Sequence, residues 1–198
     1  ARHLGLKERK VKKFLESQKD KAGPATAPAA RLSADFPALD AFLGSVNPVV
    51  LFGVLFCVAF VIKFVVLIAF QKSVFANLLI LDMSDYDVWA MEIARGRLVG
   101  ASAFNALPFY TYILGLIYAI AGHDLFAVRL IQIIAGSVSC VLVFGIARRM
   151  FNPTVALVAF VAMLLFREFY CYEMLLMPTT LGILFYLVII ALAFSVLR

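Results

Sequence analysis

The residues from 49 to 71, VVLFGVLFCVAFVIKFVVLIAFQ, form one apolar run that contains a single charged side chain, Lys63. A helix needs about 20 consecutive apolar residues to cross the hydrocarbon core of a bilayer, and this run is long enough. Further apolar runs cover about 125–147, 154–172 and 179–197. We therefore predict an all-α fold, a polytopic transmembrane helix bundle of about four spans.

The composition excludes the main alternatives to a membrane bundle. Apolar residues make up 64% of the chain and charged residues 15%, and the mean hydropathy is +0.99. Soluble domains average about 45–50% apolar and about 25% charged residues, so neither a soluble enzyme nor a disordered chain fits. The runs also lack the alternation of apolar and polar residues that a transmembrane barrel requires.

The bundle, residues 49–198, follows two polar segments. Residues 1–21 are basic, and their apolar side chains fall near one helical face. This pattern predicts a cytoplasmic amphipathic helix on an anionic membrane surface, or else a solvated helix. Residues 22–48 are rich in Ala and Pro and predict a linker. Because a basic start before the first span indicates a cytoplasmic N-terminus, we favour a topological role over nucleic-acid binding, and expect no nucleic-acid partner.

The loop 72–124 is expected on the outer side, with interfacial helices at 85–97 and 108–121. The apolar run 108–121 is short for a spanning helix and long enough for a re-entrant or interfacial one. If it crossed the membrane, Arg148 and Arg149 would lie outside, against the positive-inside bias. We therefore predict four crossings plus a re-entrant or interfacial helix.

An acidic cluster occupies this loop, since Asp82, Asp85 and Asp87 fall within six residues. Such a cluster can bind a divalent cation or supply a general base. The structural alternative, which the composition alone favours, is a solvated loop in which Ser84 or Asp85 caps the next helix. No Cys/His ligand spacing is present, so no metal site is predicted, although a divalent metal remains compatible with the acids.

Charged residues near the ends of the spans are candidates for ligand contact. Arg129 begins the second span, and Arg167 and Glu173 lie toward the outer end of the third. A charge within the bilayer is costly and often functional, and a guanidinium there can clamp a phosphate. Snorkelling, or an ion pair between Arg167 and Glu168, is the structural alternative.

Two further ionisable residues have open roles. Lys63 is deep in the first span, and we expect it to snorkel or to pair with a carboxylate on a neighbouring span. His123, in a Gly-His-Asp turn, can act as an acid–base group but is more often a turn residue.

An ordered set of motifs resembles the polytopic GT-C glycosyltransferases related to protein O-mannosyltransferases and the lipid A aminoarabinose transferase. The resemblance covers about residues 49–197. Its motifs are Asp82-x-x-x-Tyr86-x-x-x-Ala90-x-x-Ile93-x-x-Gly96, Pro108-Phe109-Tyr110, Gly122, Val128-Arg129-Leu130 and Ala147-Arg148-Arg149-x-Phe151.

The resemblance implies transfer of a sugar from a polyprenyl-phosphate carrier to an acceptor at the outer membrane face, in an inner membrane of bacterial type. It assigns Asp82 the part of catalytic base or acceptor-positioning group, and Arg129 contact with the lipid phosphate. We add Asp85, Tyr86, Arg167 and Glu173 as substrate-binding candidates. The partners expected are the bilayer, the polyprenyl-phosphate lipid and other membrane subunits.

The chain departs from the family pattern where a second acid is expected, because Met177-Pro178-Thr179-Thr180 occupies that stretch. Family members are also several hundred residues long. We therefore expect either part of a longer enzyme or a shortened relative. The alternative function is a non-catalytic accessory subunit of a larger membrane complex. A transporter is weaker, since no internal repeat is visible.

Overall fold

The computed structural model describes residues 36–98 and 107–196, and this part of the chain contains eight helices and no strand. The predicted basic helix at 1–21 lies outside these residues. The helices are α1 (Pro37–Ser45), α2 (Pro48–Gln71), α3 (Asp82–Ala94), α4 (Pro108–Ala121), α5 (Leu125–Met150), α6 (Pro153–Leu165), α7 (Arg167–Met174) and α8 (Thr179–Val196).

Local signals set where the long helices begin. The side chain of Asn47 accepts a hydrogen bond from the Val49 amide (3.0 Å) at the start of α2, and Pro48 fills the first helical position. Asp124 caps α5 through the Phe126 amide (2.8 Å) in the same way. Such side-chain caps satisfy amides that have no partner within the helix, and proline at the first position loses no bond.

Three helices are long and apolar enough to cross a membrane: α2, α5 and α8. The run expected to form one span at 154–172 is instead two helices, α6 and α7, that meet at Phe166 with a bend of 51°. Counted as one broken span, they give four. The chain is thus an integral membrane protein with a helical bundle in contact with lipid.

The central helix of the bundle is α5, which packs against α2, α6 and α8. Its two ends define the two ends of the molecule. At one end, Arg129 of α5 meets Gln71 of α2 and Met174 of α7. We call this the Arg129 end. At the other, which we call the Arg149 end, α5 finishes beside the start of α6 and α1.

Residues 37–45 lie within the linker predicted for 22–48, but they form the helix α1, which packs against the start of α6. Asp40 accepts hydrogen bonds from the Thr154 amide (2.9 Å) and hydroxyl (2.6 Å) at the start of α6. Leu43 is buried in the apolar cluster of the Arg149 end. The Ala and Pro content of 22–48 could not predict these contacts, because they join residues that are far apart in the sequence.

The helices α3 and α4 form a pair at the Arg129 end, close to the bounds predicted at 85–97 and 108–121. The helix α3 begins three residues earlier than expected, so Ser84 and Asp85 lie in its first turn and do not cap it. Each helix ends before a glycine with positive φ, Gly96 (88°) or Gly122 (77°). At 14 residues, α4 is about 21 Å long, which is too short to cross the hydrocarbon core.

Candidate active site

Asp82 is the first residue of α3 and is exposed at the Arg129 end. The preceding Leu81 has φ 53° and ψ −132°, and its side chain is 81% exposed. A non-glycine residue in such a backbone conformation stores about 1–3 kcal/mol of strain. The hydroxyl of Ser84 donates to the Leu81 carbonyl (2.7 Å) and helps hold this conformation. The backbone conformation of Leu81 thus sets the position of Asp82 at the start of α3.

The three carboxylates of the acidic cluster do not converge. Asp82 and Asp85 are exposed, whereas Asp87 is 5% exposed and turns into the protein. Within residues 36–98 and 107–196 there is no group of three or more His, Cys, Asp or Glu side chains that could hold a metal ion. Helical spacing turns Asp87 away from the other two acids, because successive positions are rotated by about 100°.

Asp87 is the centre of a buried polar contact that joins α3 to α4 and to the turn before α5. Its Oδ1 accepts a hydrogen bond from the Tyr118 hydroxyl (2.5 Å) and lies 2.8 Å from Nε2 of His123. Burial and this bond to Asp87 raise the pKa of the Tyr118 hydroxyl far above its ordinary value. The phenol therefore remains a donor, and Asp87 accepts two hydrogen bonds on one oxygen.

Tyr86 is buried beside this contact. Its ring packs edge-on against that of Tyr110, with 5.1 Å between ring centroids. Burial also raises the pKa of Tyr110. The position gives Tyr86 a packing role between α3 and α4.

Arg129 is 2% exposed, and its guanidinium has protein acceptors on all sides. It donates to the carbonyl oxygens of Met174 (2.9 Å) and Ala76 (2.5 Å), and to Oε1 of Gln71 (3.4 Å). The guanidinium carbon also lies 5.0 Å from the ring centroid of Phe70. In this structure Arg129 therefore joins α5 to α7 and to the loop that leads from α2 to Asp82.

Glu173, the other buried candidate, pairs with Lys63. The distance from Nζ to Oε1 is 2.5 Å, and both side chains are almost fully buried. Lys63 also lies 4.6 Å from the ring centroid of Tyr170. Of the two outcomes expected for Lys63, the structure has the ion pair with a carboxylate.

Arg167 is exposed, and it does not share a face of α7 with the buried Glu173. Among the residues that the structure describes, neither Arg167 nor Glu173 forms a hydrogen bond or an ion pair with Asp82. What the structure does gather at the Arg129 end is Asp87, Tyr118, His123 and Arg129. The sequence named Asp87, His123 and Arg129 separately and did not name Tyr118. Spacing along the chain could not show that Asp87 contacts Tyr118 and His123, because these contacts join residues more than 30 positions apart.

A polar groove of about 420 Å³ opens beside this group. Its walls come from the end of α2, the following loop and the start of α5. The lining residues are Gln71, Asn77, Leu79, His123, Asp124, Leu125 and Phe126. Amide and imidazole groups can hydrogen-bond hydroxyl and phosphate groups, and a carboxylate can accept hydrogen bonds from hydroxyl groups.

The groove is close to Asp82 as well as to Arg129. Leu79 precedes Asp82 by three residues, so no more than about 11 Å of extended chain separates their Cα atoms. Gln71 forms part of the groove wall and accepts the weakest of the Arg129 hydrogen bonds. One acid and one guanidinium are therefore at the same end of the bundle, as the sequence-based hypothesis requires.

A second, apolar cleft of about 390 Å³ lies between α4 and α8. Phe109 and Phe185 meet across it, with 5.6 Å between ring centroids. Its lining residues are Leu107, Phe109, Tyr110, Pro178, Thr179, Leu181, Gly182, Phe185 and Tyr186.

Comparison with known proteins gives one family. Residues 105–198, slightly less than half of the chain, match the family model of the dolichyl-phosphate-mannose-protein mannosyltransferases. The matched region includes α4 to α8 and Arg129, and it begins after Asp82. No curated protein and no solved structure matches the chain significantly. The family match confirms the resemblance to GT-C membrane glycosyltransferases over this region.

Proposed function

We propose that this glycosyltransferase-like membrane protein transfers a sugar of the mannose type from a polyprenyl-phosphate donor to an acceptor at the membrane face that holds the Arg129 end. The observation that carries the proposal is the family match over residues 105–198. The groove at the Arg129 end supports it, because its amide groups can hydrogen-bond a sugar and one of them, Gln71, is in contact with Arg129.

Asp82 is the proposed base or acceptor-positioning residue. Its exposure, its position after the strained Leu81 and its nearness to the groove support this role. Backbone strain of this kind is retained mainly where function requires it. Asp85 is the next exposed acid on the same turn, and we propose that it contacts the acceptor.

Arg129 is proposed to stabilise the leaving phosphate. A phosphate in the groove can replace Gln71 as the third acceptor, since that bond is the longest of the three at 3.4 Å. The bonds to Met174 and Ala76 would remain and hold the guanidinium in place. A positive charge fixed in advance stabilises charge that develops as the sugar–phosphate bond breaks.

The remaining candidates divide by exposure. Arg167 is exposed at the bend between α6 and α7, and we propose that it contacts anionic headgroups of the lipid. Tyr86 and Glu173 are buried, so we propose that they act through packing and through the Lys63 ion pair. The apolar cleft between α4 and α8 is proposed to receive prenyl groups of the donor.

We further propose that the protein resides in a bacterial inner membrane with its N-terminus in the cytoplasm. Arg148 and Arg149 support this orientation, because they lie at the end opposite Arg129, together with α1. The positive-inside bias assigns that end to the cytoplasm.

The proposal is tested with purified protein in liposomes that contain polyprenyl-phosphate mannose with a radioactive sugar. Membrane extract is added as the source of acceptor, and we expect the label to leave the organic-soluble fraction and enter the protein or polysaccharide fraction of that extract. Transfer equal to that of vesicles without protein would contradict the proposal.

A non-catalytic subunit of a membrane complex is the second candidate function. Two observations favour it: Arg129 and Glu173 already have partners within the chain, and α8 has little of its surface buried. Chemical crosslinking in native membranes distinguishes the two. A stable partner crosslinked to α8, together with no sugar transfer, would support the subunit.

A further inference from the structure

His123 occupies the turn between α4 and α5 and has two different surroundings. Its Nε2 faces the buried carboxylate of Asp87 at 2.8 Å, while the side chain is 46% exposed and lines the polar groove. A carboxylate at Nε2 holds the proton on that nitrogen. The lone pair of Nδ1 is then left for a ligand.

The carboxylate that faces His123 is buried and hydrogen-bonded. Asp87 is 5% exposed, and the Tyr118 hydroxyl donates to the same oxygen that faces the imidazole. The rings of Tyr118 and His123 also pack edge-on at 4.8 Å between centroids. An imidazole with a fixed ring, a fixed proton and one free nitrogen is the usual form of a general base.

We propose that His123 is the residue that accepts the proton of the acceptor hydroxyl, and that Asp87 is its positioning residue. The inference rests on the proposed function. Of the two roles proposed for Asp82, base or acceptor-positioning residue, it assigns Asp82 the second. Nδ1 takes the hydroxyl proton as the acceptor oxygen forms a bond to the anomeric carbon of the sugar. The bond from that carbon to the phosphate oxygen breaks, and polyprenyl phosphate leaves with the electron pair.

The acceptor must then carry a hydroxyl group that reaches the groove. Amide groups of Gln71 and Asn77, which line the same groove, can hydrogen-bond a hydroxylated ligand. The charged and titratable groups around His123 are Asp87 on α3, Tyr118 on α4, Asp124 in the turn and Arg129 on α5.

The test compares initial rates of sugar transfer from polyprenyl-phosphate mannose by the reconstituted protein at several pH values. We expect His123→Ala to slow transfer by about 100-fold, in the usual range for removal of a general base. Added imidazole is expected to restore part of the rate of this variant. In the wild type we expect the rate to fall in acid, because a protonated imidazole cannot accept a proton. The acidic decline is expected to disappear in His123→Ala.

Asp87→Asn tests the positioning role, and Glu92→Gln on the same helix is the matched control. We expect Asp87→Asn to lose at least tenfold in rate, and Glu92→Gln to retain the wild-type rate. His123→Ala remains informative if Asp87→Asn fails to fold. If folded His123→Ala transfers sugar at the wild-type rate, the inference is overturned. A rate loss that imidazole does not restore, with the acidic decline still present, would also overturn it. Absence of transfer by the wild type would overturn the proposed function itself.

Discussion

Arg129 donates a 2.5 Å hydrogen bond to the backbone carbonyl of Ala76, which ties the start of α5 to the loop that leads to Asp82. The same guanidinium holds the Met174 carbonyl at the end of α7. Three segments that are distant in sequence thus meet at one side chain. The position of Asp82 therefore depends on Arg129 whether or not a phosphate binds there.

Replacing Arg129 by Met is expected to lower stability, because two buried carbonyl groups lose their donor at roughly 1–3 kcal/mol each. Arg129→Lys is expected to lose less, since an ammonium group can satisfy some of the same acceptors. The free energy of unfolding in detergent measures both changes. Digestion by a protease within 72–81 should become faster in Arg129→Met. Equal stability of both variants and the wild type would contradict a bracing role.

The Lys63–Glu173 ion pair predicts a pronounced double-mutant cycle. Lys63→Met leaves a buried carboxylate without its cation, and we expect a loss of about 3–5 kcal/mol. The double variant Lys63→Met/Glu173→Gln removes both charges and should recover most of this stability. Chemical denaturation of the four proteins gives the coupling free energy. A coupling near zero would mean that the two side chains do not interact in the folded protein.

Gly136 on α5 faces the same carboxylate. A Cβ atom added there would overlap Oε1 of Glu173, the oxygen that accepts from Lys63. Gly136→Ala is therefore expected to destabilise the bundle by about 1–3 kcal/mol. Gly53→Ala on α2 is the control, since its Cβ would meet no atom within 4 Å, and helix propensity predicts a gain of about 0.5–1 kcal/mol. Equal effects at both glycines would contradict the close packing of α5 on α7.

The proposed orientation predicts which end of the bundle a membrane-impermeant maleimide can reach. Leu81 marks the Arg129 end and Phe151 the Arg149 end, and both side chains are exposed. In protein whose exposed cysteines, Cys57 and Cys171, are replaced by Ala, we expect Leu81→Cys to react in intact spheroplasts. Phe151→Cys is expected to react only after lysis. The reverse pattern would place the N-terminus outside.

The helices could be predicted from the sequence because each depends on a local run and a local cap. The span expected from residue 49 begins at Pro48, and the one expected from 125 begins after the Asp124 cap. The break at Phe166 was missed because apolar residues continue up to it. Arg167 and Glu168, two charges within a presumed span, were the available signal.

The site was harder to predict, since its contacts depend on how the helices pack. The sequence indicated that Lys63 could pair with a carboxylate but did not identify Glu173. In the sequence, Asp87 is one of three acids with no feature that distinguishes it. In the structure, its position on α3 directs it toward Tyr118 and His123. Burial of Arg129 among carbonyl groups was likewise a tertiary property. Residue types and spacings therefore suggested which side chains belong at the Arg129 end, but they did not give the hydrogen bonds there.

The rate of sugar transfer from polyprenyl-phosphate mannose by Asp82→Asn is the most direct test of the proposed site. The comparison is with Glu168→Gln, which removes an exposed carboxylate on α7. We expect Asp82→Asn to fold with wild-type stability and to show no transfer above protein-free vesicles, while Glu168→Gln transfers as the wild type does. Transfer by folded Asp82→Asn at the wild-type rate would contradict a catalytic site at the Arg129 end built on Asp82.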